Sequence, residues 1–341
     1  MMYSPKIAIL GAGSWGTALA VHLGRAGRDC VLWGRDPLLL EQIGMLRENP
    51  KYLPGISIPE NVQLTSSLKE AVSKRDIILI VVPSHGFRSI VTELNNLMCK
   101  TDKENAAFVS CTKGVENGTL YFMTEVIEDV LGIEVSKKVA VLSGPSFAKE
   151  VAQGLPTAVT VASKDSTLAA QLQDVFSYGT FRVYTTDDVR GVEVGGAVKN
   201  VLAIAVGISD GMGLGLNARA ALITRGLREI VRLGMNLGAS PLTFAGLSGL
   251  GDLVLTCTGD LSRNRQVGLR LGKGEDINSI LSSMNMVAEG VKTSRALYDL
   301  GVRTQTDMPI SMAVYQVLYE GIKPDEAVTS LIERPLRPEW E

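Results

Sequence analysis

The hexapeptide Gly11-Ala12-Gly13-Ser14-Trp15-Gly16 constrains the fold of this chain more than any other stretch. It follows the β-branched run Lys6-Ile7-Ala8-Ile9-Leu10 and opens a segment, Ser14 to Ala26, that reads as a helix closed by Gly27. Glycines at the first, third and sixth positions of such a strand-to-helix turn do different jobs. Gly11 allows the tight turn, Gly13 lets the backbone approach a pyrophosphate, and Gly16 allows close helix–strand packing. The start of the helix then offers unpaired N–H groups to the anion. The chain is therefore expected to begin with a dinucleotide-binding unit.

Further short apolar runs follow: Cys30–Trp33, Asp76–Val82, Ala107–Cys111, Val139–Leu142, Ala158–Ala162 and Phe181–Tyr184. Most are continuous rather than alternating, as in strands of a parallel sheet buried on both faces. Helical segments between them give a doubly wound α/β domain. From Val189 onward the segments read as helices punctuated by glycine: Glu193–Ser209, Asn217–Leu237, Thr293–Leu300 and Ile310–Tyr319. With 341 residues, two domains are expected. The first is a Rossmann-like α/β dinucleotide-binding domain, residues 1–188. The second is an all-helical domain, residues 189–341.

Composition removes several function classes. Lys plus Arg is 34 and Asp plus Glu 36, a formal net charge of −2, which argues against a basic nucleic-acid binder. No run of 18 uncharged apolar residues appears, so no membrane span is expected, and the strand at Lys6 leaves no room for a signal peptide. The four cysteines form no C-x-x-C pair, and there are two histidines. No metal site and no Ser-His-Asp triad are expected. Arg219, Arg225, Arg228 and Arg232 read as a solvated helix face.

Three places carry chemistry. The second strand ends in Trp33-Gly34-Arg35-Asp36, where the ribose is read. Arg35 suits a 2′-phosphate and Asp36 a free 2′-hydroxyl; Arg35 comes first, which leans towards NADP(H) and leaves NAD(H) open. Lys199 lies within Val194–Ile208, a segment otherwise almost wholly apolar. Desolvation should draw its pKa from about 10.4 towards neutrality, where it can exchange a proton with a hydroxyl or carbonyl. Gly195-Gly196 beside it suggest that something approaches the helix closely. Lys113 in Cys111-Thr112-Lys113-Gly114, and Gly144 and Ser146 in Ser143–Ala148, fall at the carboxyl ends of strands, where α/β sheets bind ligands. A plain strand-to-helix turn explains either segment almost as well. Finally, Gly246–Asp252 precedes Ser262-Arg263-Asn264-Arg265. A Ser262 cap, exposed N–H groups and a guanidinium fork make a phosphate site, and Asp252 is placed to pair with Lys199.

These residues carry a resemblance. Gly11–Ala20, Leu32–Asp36, Val82–His85, Thr112–Gly114, Leu142–Ala148, Gly195–Asn200, Gly246–Asp252 and Ser262–Asn264 closely resemble, in order, the motifs of bacterial-type NAD(P)-dependent glycerol-3-phosphate dehydrogenases. The resemblance implies interconversion of dihydroxyacetone phosphate and sn-glycerol 3-phosphate for glycerophospholipid synthesis. It implies Lys199 as the proton acceptor in the oxidation direction. Lys113, Gly144, Ser146, Asp252, Ser262, Arg263 and Asn264 match the family's substrate-binding positions. Ser14, Trp15, Arg35, Lys113, Ala148, Arg263, Val287 and Glu289 match its cofactor-binding positions. Thr often stands in the family where this chain has Ser146. A cytoplasmic homodimer is also implied; Arg35 makes NADPH the expected reductant. The rival readings are a β-hydroxyacid dehydrogenase of the 6-phosphogluconate type and a non-catalytic NADP(H) sensor.

Overall fold

The computed structural model describes residues 5–284 and 286–339. Among the described residues ten strands lie before Asp187: β1 (Ile7–Leu10), β2 (Cys30–Trp33), β3 (Glu48–Asn49), β4 (Leu53–Ser57), β5 (Val62–Thr65), β6 (Ile77–Ile80), β7 (Ala107–Ser110), β8 (Val139–Ser143), β9 (Thr157–Ala162) and β10 (Phe181–Thr186). Eight of them form one sheet in the order β10-β9-β8-β7-β6-β1-β2-β5, and β3 pairs with β4 as a separate hairpin. Successive residues face opposite sides of the sheet. Ile7 and Ile9 therefore enter one apolar layer, and Ala8 and Leu10 the other.

The parallel sheet expected from continuous apolar runs is a mixed one. From β5 through β8 all neighbours run parallel, but β9 returns antiparallel to β8 and then pairs parallel with β10. The chain reverses there after one short helix, Ala148–Gln153. Burial on both faces makes a strand continuously apolar whichever way it runs, so direction left no mark on the pattern. Strand β5 escaped the sequence reading because Val62-Gln63-Leu64-Thr65 is an edge strand with only its first residue buried.

Seven helices position the site: α1 (Ser14–Arg25), α2 (Ala148–Gln153), α3 (Val189–Gly211), α4 (Gly215–Asn236), α5 (Asp252–Thr258), α6 (Arg263–Gly272) and α7 (Glu289–Thr304). Helix α3 is capped by the Asp188 carboxylate, which accepts from the Gly191 N–H at 2.9 Å, and it is the axis of the helical half. It is long and apolar enough to cross a membrane, yet 94% of its apolar window is buried inside the protein. A helix apolar all round is a core helix when protein surrounds it. Helix α6 packs along it unusually closely. A Cβ on Gly207 would meet the Arg265 carbonyl at 2.2 Å, and one on Gly268 would meet the Ile204 carbonyl at 2.1 Å. Only glycine permits such an approach. The contact sets the start of α6 beside the middle of α3. Val115, Leu120 and Phe122, from the loop after β7, pack into the helical core, so the sheet's carboxyl edge is anchored to α3.

The four arginines of α4 are not a solvated face. All are half-buried: Arg219 pairs with Asp210 at 2.9 Å, Arg232 with Asp307 at 3.8 Å, and Arg225 donates to the Glu339 carbonyl at 2.7 Å.

Candidate active site

The turn after β1 is a cradle with one open side. A Cβ on Gly16 would meet the Gly11 carbonyl at 1.8 Å, so that glycine is needed by the protein's own packing. A Cβ on Gly13 would meet nothing within 4 Å. Helix α1 has no side-chain cap and no acidic residue in its first turn, so its first N–H groups remain unpaired. Space at Gly13 beside uncapped donors fits the pyrophosphate of a dinucleotide. Ser14 and Trp15 are half-buried at this corner, and the Ser14 hydroxyl donates to the Tyr52 carbonyl at 2.7 Å.

At the end of β2 the two candidates for the ribose divide their work. Asp36 is the N-cap of the helix Pro37–Leu46, its Oδ1 accepting from the Leu38 and Leu39 N–H groups at 3.1 and 3.3 Å. Arg35 is exposed, and its one ion pair, to Glu93, is long at 3.9 Å. Among the described residues the cationic side chain is the less committed of the two.

The centre of the site is a buried carboxylate holding two ammonium groups. Asp252, 1% exposed, lies at the start of α5. Its Oδ1 accepts from Lys199 Nζ and its Oδ2 from Lys113 Nζ, each at 2.6 Å. Lys199 also donates to Thr256 Oγ1 at 2.7 Å, and Thr256 donates to the Asp252 carbonyl at 2.6 Å. Lys113 reaches the Gly144 carbonyl at 2.9 Å. Burial pulls Lys199 down from 10.5 to about 8; Asp252 opposes the fall and the like charge of Lys113 adds to it. Such a group changes charge close to neutral pH, which suits proton transfer.

Gly195 and Gly196 do mark a close approach, and it is the protein's own. A Cβ at Gly195 would meet the Ser248 carbonyl at 2.3 Å, and one at Gly196 would meet Ser143 Oγ at 3.2 Å and Lys113 Cγ at 3.3 Å. Ser146 donates to the Gly144 carbonyl at 2.9 Å, so its proton serves the loop here.

The corner expected to hold a phosphate lies against Asn200, the residue after Lys199. Ser262 caps α6 as expected, accepting from the Arg265 N–H at 3.2 Å. Asn264 Nδ2 donates to Asn200 Oδ1 at 2.9 Å, and Asn264 Oδ1 accepts from the Gly290 N–H at 2.9 Å. The two arginines of the motif separate. Arg265 is buried and held by Asp210 at 2.7 Å and Asp260 at 3.0 Å. Arg263 is exposed and makes no hydrogen bond or ion pair among the described residues. Next to Gly290, Glu289 accepts from the Ser84 hydroxyl at 2.6 Å and the Ser84 N–H at 3.2 Å. Ser84 starts the helix after β6, so this contact joins the sheet's carboxyl edge to α7. Val287 is exposed nearby in sequence, and Ala148 is the half-buried first residue of α2.

Sequence reasoning missed Thr256, Asn200 and Ser84. Thr256 carried a signal, since it stands one helical turn after Asp252 and the i, i+4 spacing puts both on one face. Ser84 carried none, because its partner Glu289 is remote in the chain.

Comparison with known proteins finds two family matches. Residues 6–169 match the family described as NAD-dependent glycerol-3-phosphate dehydrogenase N-terminus, and residues 188–329 the one described as its C-terminus. A glycerol-3-phosphate dehydrogenase (NAD(P)+) of Nitratidesulfovibrio vulgaris is 52% identical over 334 residues, covering 98% of this chain and 100% of that protein. The enzyme of that name from Geobacter sulfurreducens is 50% identical over 336 residues, covering 98% and 99%. A crystal structure of glycerol-3-phosphate dehydrogenase from Coxiella burnetii is similar with a TM-score of 0.91 at 42% identity, over 97% of this chain and 99% of that one.

Proposed function

The chain belongs to the family of NAD-dependent glycerol-3-phosphate dehydrogenases, and from that premise we propose how its site interconverts dihydroxyacetone phosphate and sn-glycerol 3-phosphate. The observation that carries the reading is the Lys199–Asp252–Lys113 cluster, built on a buried carboxylate and set beside the Ser262-capped start of α6. When bound, the reduced nicotinamide supplies a hydride to the carbonyl carbon. Protonated Lys199 releases its Nζ proton to the oxygen as alkoxide character develops; in the oxidation direction neutral Lys199 takes the hydroxyl proton back. Lys113 adds positive charge at the same oxygen. Asp252 holds both ammonium groups in place. The Ser262 hydroxyl, the Arg263 guanidinium, Asn264 and the first N–H groups of α6 bind the phosphate. Gly144 and Ser146 border the substrate.

The cofactor lies along Gly11, Gly13, Ser14, Trp15, Gly16 and Arg35, with Lys113, Ala148, Arg263, Val287 and Glu289 closing around it. NADPH is the preferred reductant, because the exposed Arg35, with only a long ion pair to Glu93, meets the 2′-phosphate while Asp36 is committed to its helix. The division into residues 1–188 for the dinucleotide and 189–341 for substrate and dimer contact belongs to the same proposal. So do a cytoplasmic homodimer and a role in glycerophospholipid synthesis.

The test is NADPH oxidation with dihydroxyacetone phosphate, repeated with NADH and with unphosphorylated dihydroxyacetone. Turnover should require the phosphate and favour NADPH. No turnover with NADPH still bound would reject the substrate. Turnover with a β-hydroxyacid would then support the 6-phosphogluconate-type rival, and silence on every substrate the sensor.

A further inference from the structure

The helical half carries a half-open cavity of about 490 Å³, lined by residues that the dehydrogenase chemistry does not use. Its size falls within the roughly 300–1,000 Å³ of small-molecule sites. Ile208 of α3, Leu222 of α4, and Val314, Val317, Ala327 and Leu331 further on give it apolar walls. The segment from Arg334 to Arg337, after the last helix, forms one side.

Charge at this cavity is unbalanced. Arg225, Arg232, Arg334 and Arg337 border it against two acids, Glu229 and Asp307. Arg232, Arg334 and Arg337 share the single carboxylate of Asp307, at 3.8, 2.9 and 3.5 Å. Among the described residues one carboxylate is shared by three guanidinium groups, which leaves this border net positive. Even with Glu229 ionised, four guanidinium groups border the cavity against two carboxylates. Glu229 is fully buried, it accepts from the Ile310 and Ser311 N–H groups and the Ser311 hydroxyl, and burial pushes its carboxyl up to about 7.

We propose that this cavity binds one single-chain anionic amphiphile, with its hydrocarbon chain among the apolar walls and its carboxylate or phosphate head on Arg334 and Arg337. A compact polar ligand would leave its hydrogen-bonding groups unmatched against such walls. A neutral hydrocarbon would leave uncompensated the positive charge that three guanidinium groups retain when they share Asp307. The planar guanidinium fork suits either oxyanion head.

The experiment is calorimetric titration of the full chain with dodecanoate, dodecyl phosphate and dodecanol, each below its micelle concentration. Saturable binding of one molecule per chain is expected for at least one of the two anions, with dodecanol at least tenfold weaker. The double variant Arg334→Glu/Arg337→Glu lies on the exposed segment and should weaken the anion at least tenfold while leaving dodecanol unchanged. Val314→Phe should weaken all three by filling the cavity; should it fail to fold, the charge-reversed variant decides alone. Absence of saturable binding, equal binding of dodecanol, or undiminished binding to the charge-reversed variant each overturns the proposal. So does a dimer that blocks anion binding and is broken by Leu336→Asp, since the occupant would then be a second copy.

Discussion

Replacing Lys199 by methionine separates what this side chain does for the fold from what it does for the reaction. The fall of its pKa from 10.5 to about 8 is a cost of holding the charge in the folded chain. At about 1.4 kcal/mol per pH unit, it amounts to about 3 kcal/mol. The sign follows from proton linkage. Below pH 8 folded and unfolded chains both hold the proton and the cost is full; it fades as pH rises towards 10.5, where the unfolded chain gives its proton up as well. Methionine is similar in length and carries no charge, so it removes this cost. It also deprives Asp252 and Thr256 of a donor that each receives within 2.7 Å, a loss of about 1–3 kcal/mol. The two effects nearly offset. Lys199→Met should therefore unfold in urea within about 2 kcal/mol of the parent at neutral pH, and the parent should gain on it as pH rises above 8. Reduction of dihydroxyacetone phosphate should slow by ~10²–10⁴-fold, with NADPH affinity, read by fluorescence titration, unchanged. Near-parental turnover would remove Lys199 as the proton donor. A stability loss of about 5 kcal/mol, the size seen when a buried ion pair loses one partner, would refute the desolvation argument.

Other substitutions test the remaining parts of the site. In the parent, kcat for reduction should fall and kcat for oxidation rise as pH passes through about 8; a flat profile between pH 7 and 9 would contradict proton transfer by the lysine cluster, to which the apparent value belongs. Gly13→Ala should fold normally and lose cofactor affinity, whereas Gly16→Ala should fail to fold, because one Cβ meets open space and the other a carbonyl at 1.8 Å; circular dichroism with NADPH titration distinguishes them. Arg263→Ala should raise the KM for dihydroxyacetone phosphate with little change in melting temperature. Arg265→Ala should instead lower the melting temperature and leave the KM unchanged, losing about 1–3 kcal/mol, because Asp210 loses one guanidinium and keeps Arg219. Arg35→Ala should weaken NADPH by roughly tenfold or more, the worth of a charge-assisted hydrogen bond, and leave NADH unchanged; equal losses for both coenzymes would refute its reading of the 2′-phosphate.

The cofactor half was legible because its signals are local. A glycine spacing between an apolar run and a helix encodes the turn, the open space and the uncapped donors within a few residues. The helical half was legible as a class, and Lys199 stood out because a charge in an apolar helix demands compensation. Asp252 was foreseen as its partner, but not as the shared partner of Lys113. That bridge joins a strand end, the middle of α3 and the start of α5, and no local pattern records it. The same limit explains the arginines. In Ser262-Arg263-Asn264-Arg265 both read alike, and only the crossing of α6 over α3 turns Arg265 onto Asp210 and leaves Arg263 free.

What the sequence determined by itself was the chemistry available: a dinucleotide turn, a desolvated lysine, a capped anion site and an apolar helix to carry them. Short-range sterics and desolvation decide these, and they act on neighbours in the chain. What only the tertiary structure decided was which groups meet and which are already committed. The direction of β9, the commitment of Asp36 to a helix cap, the joint hold of Asp252 on two lysines and the Ser84–Glu289 link all depend on packing between remote segments. The glycine contact between α3 and α6 brings the phosphate corner to Lys199, because only there can two helix backbones approach closely enough to place Asn264 against Asn200.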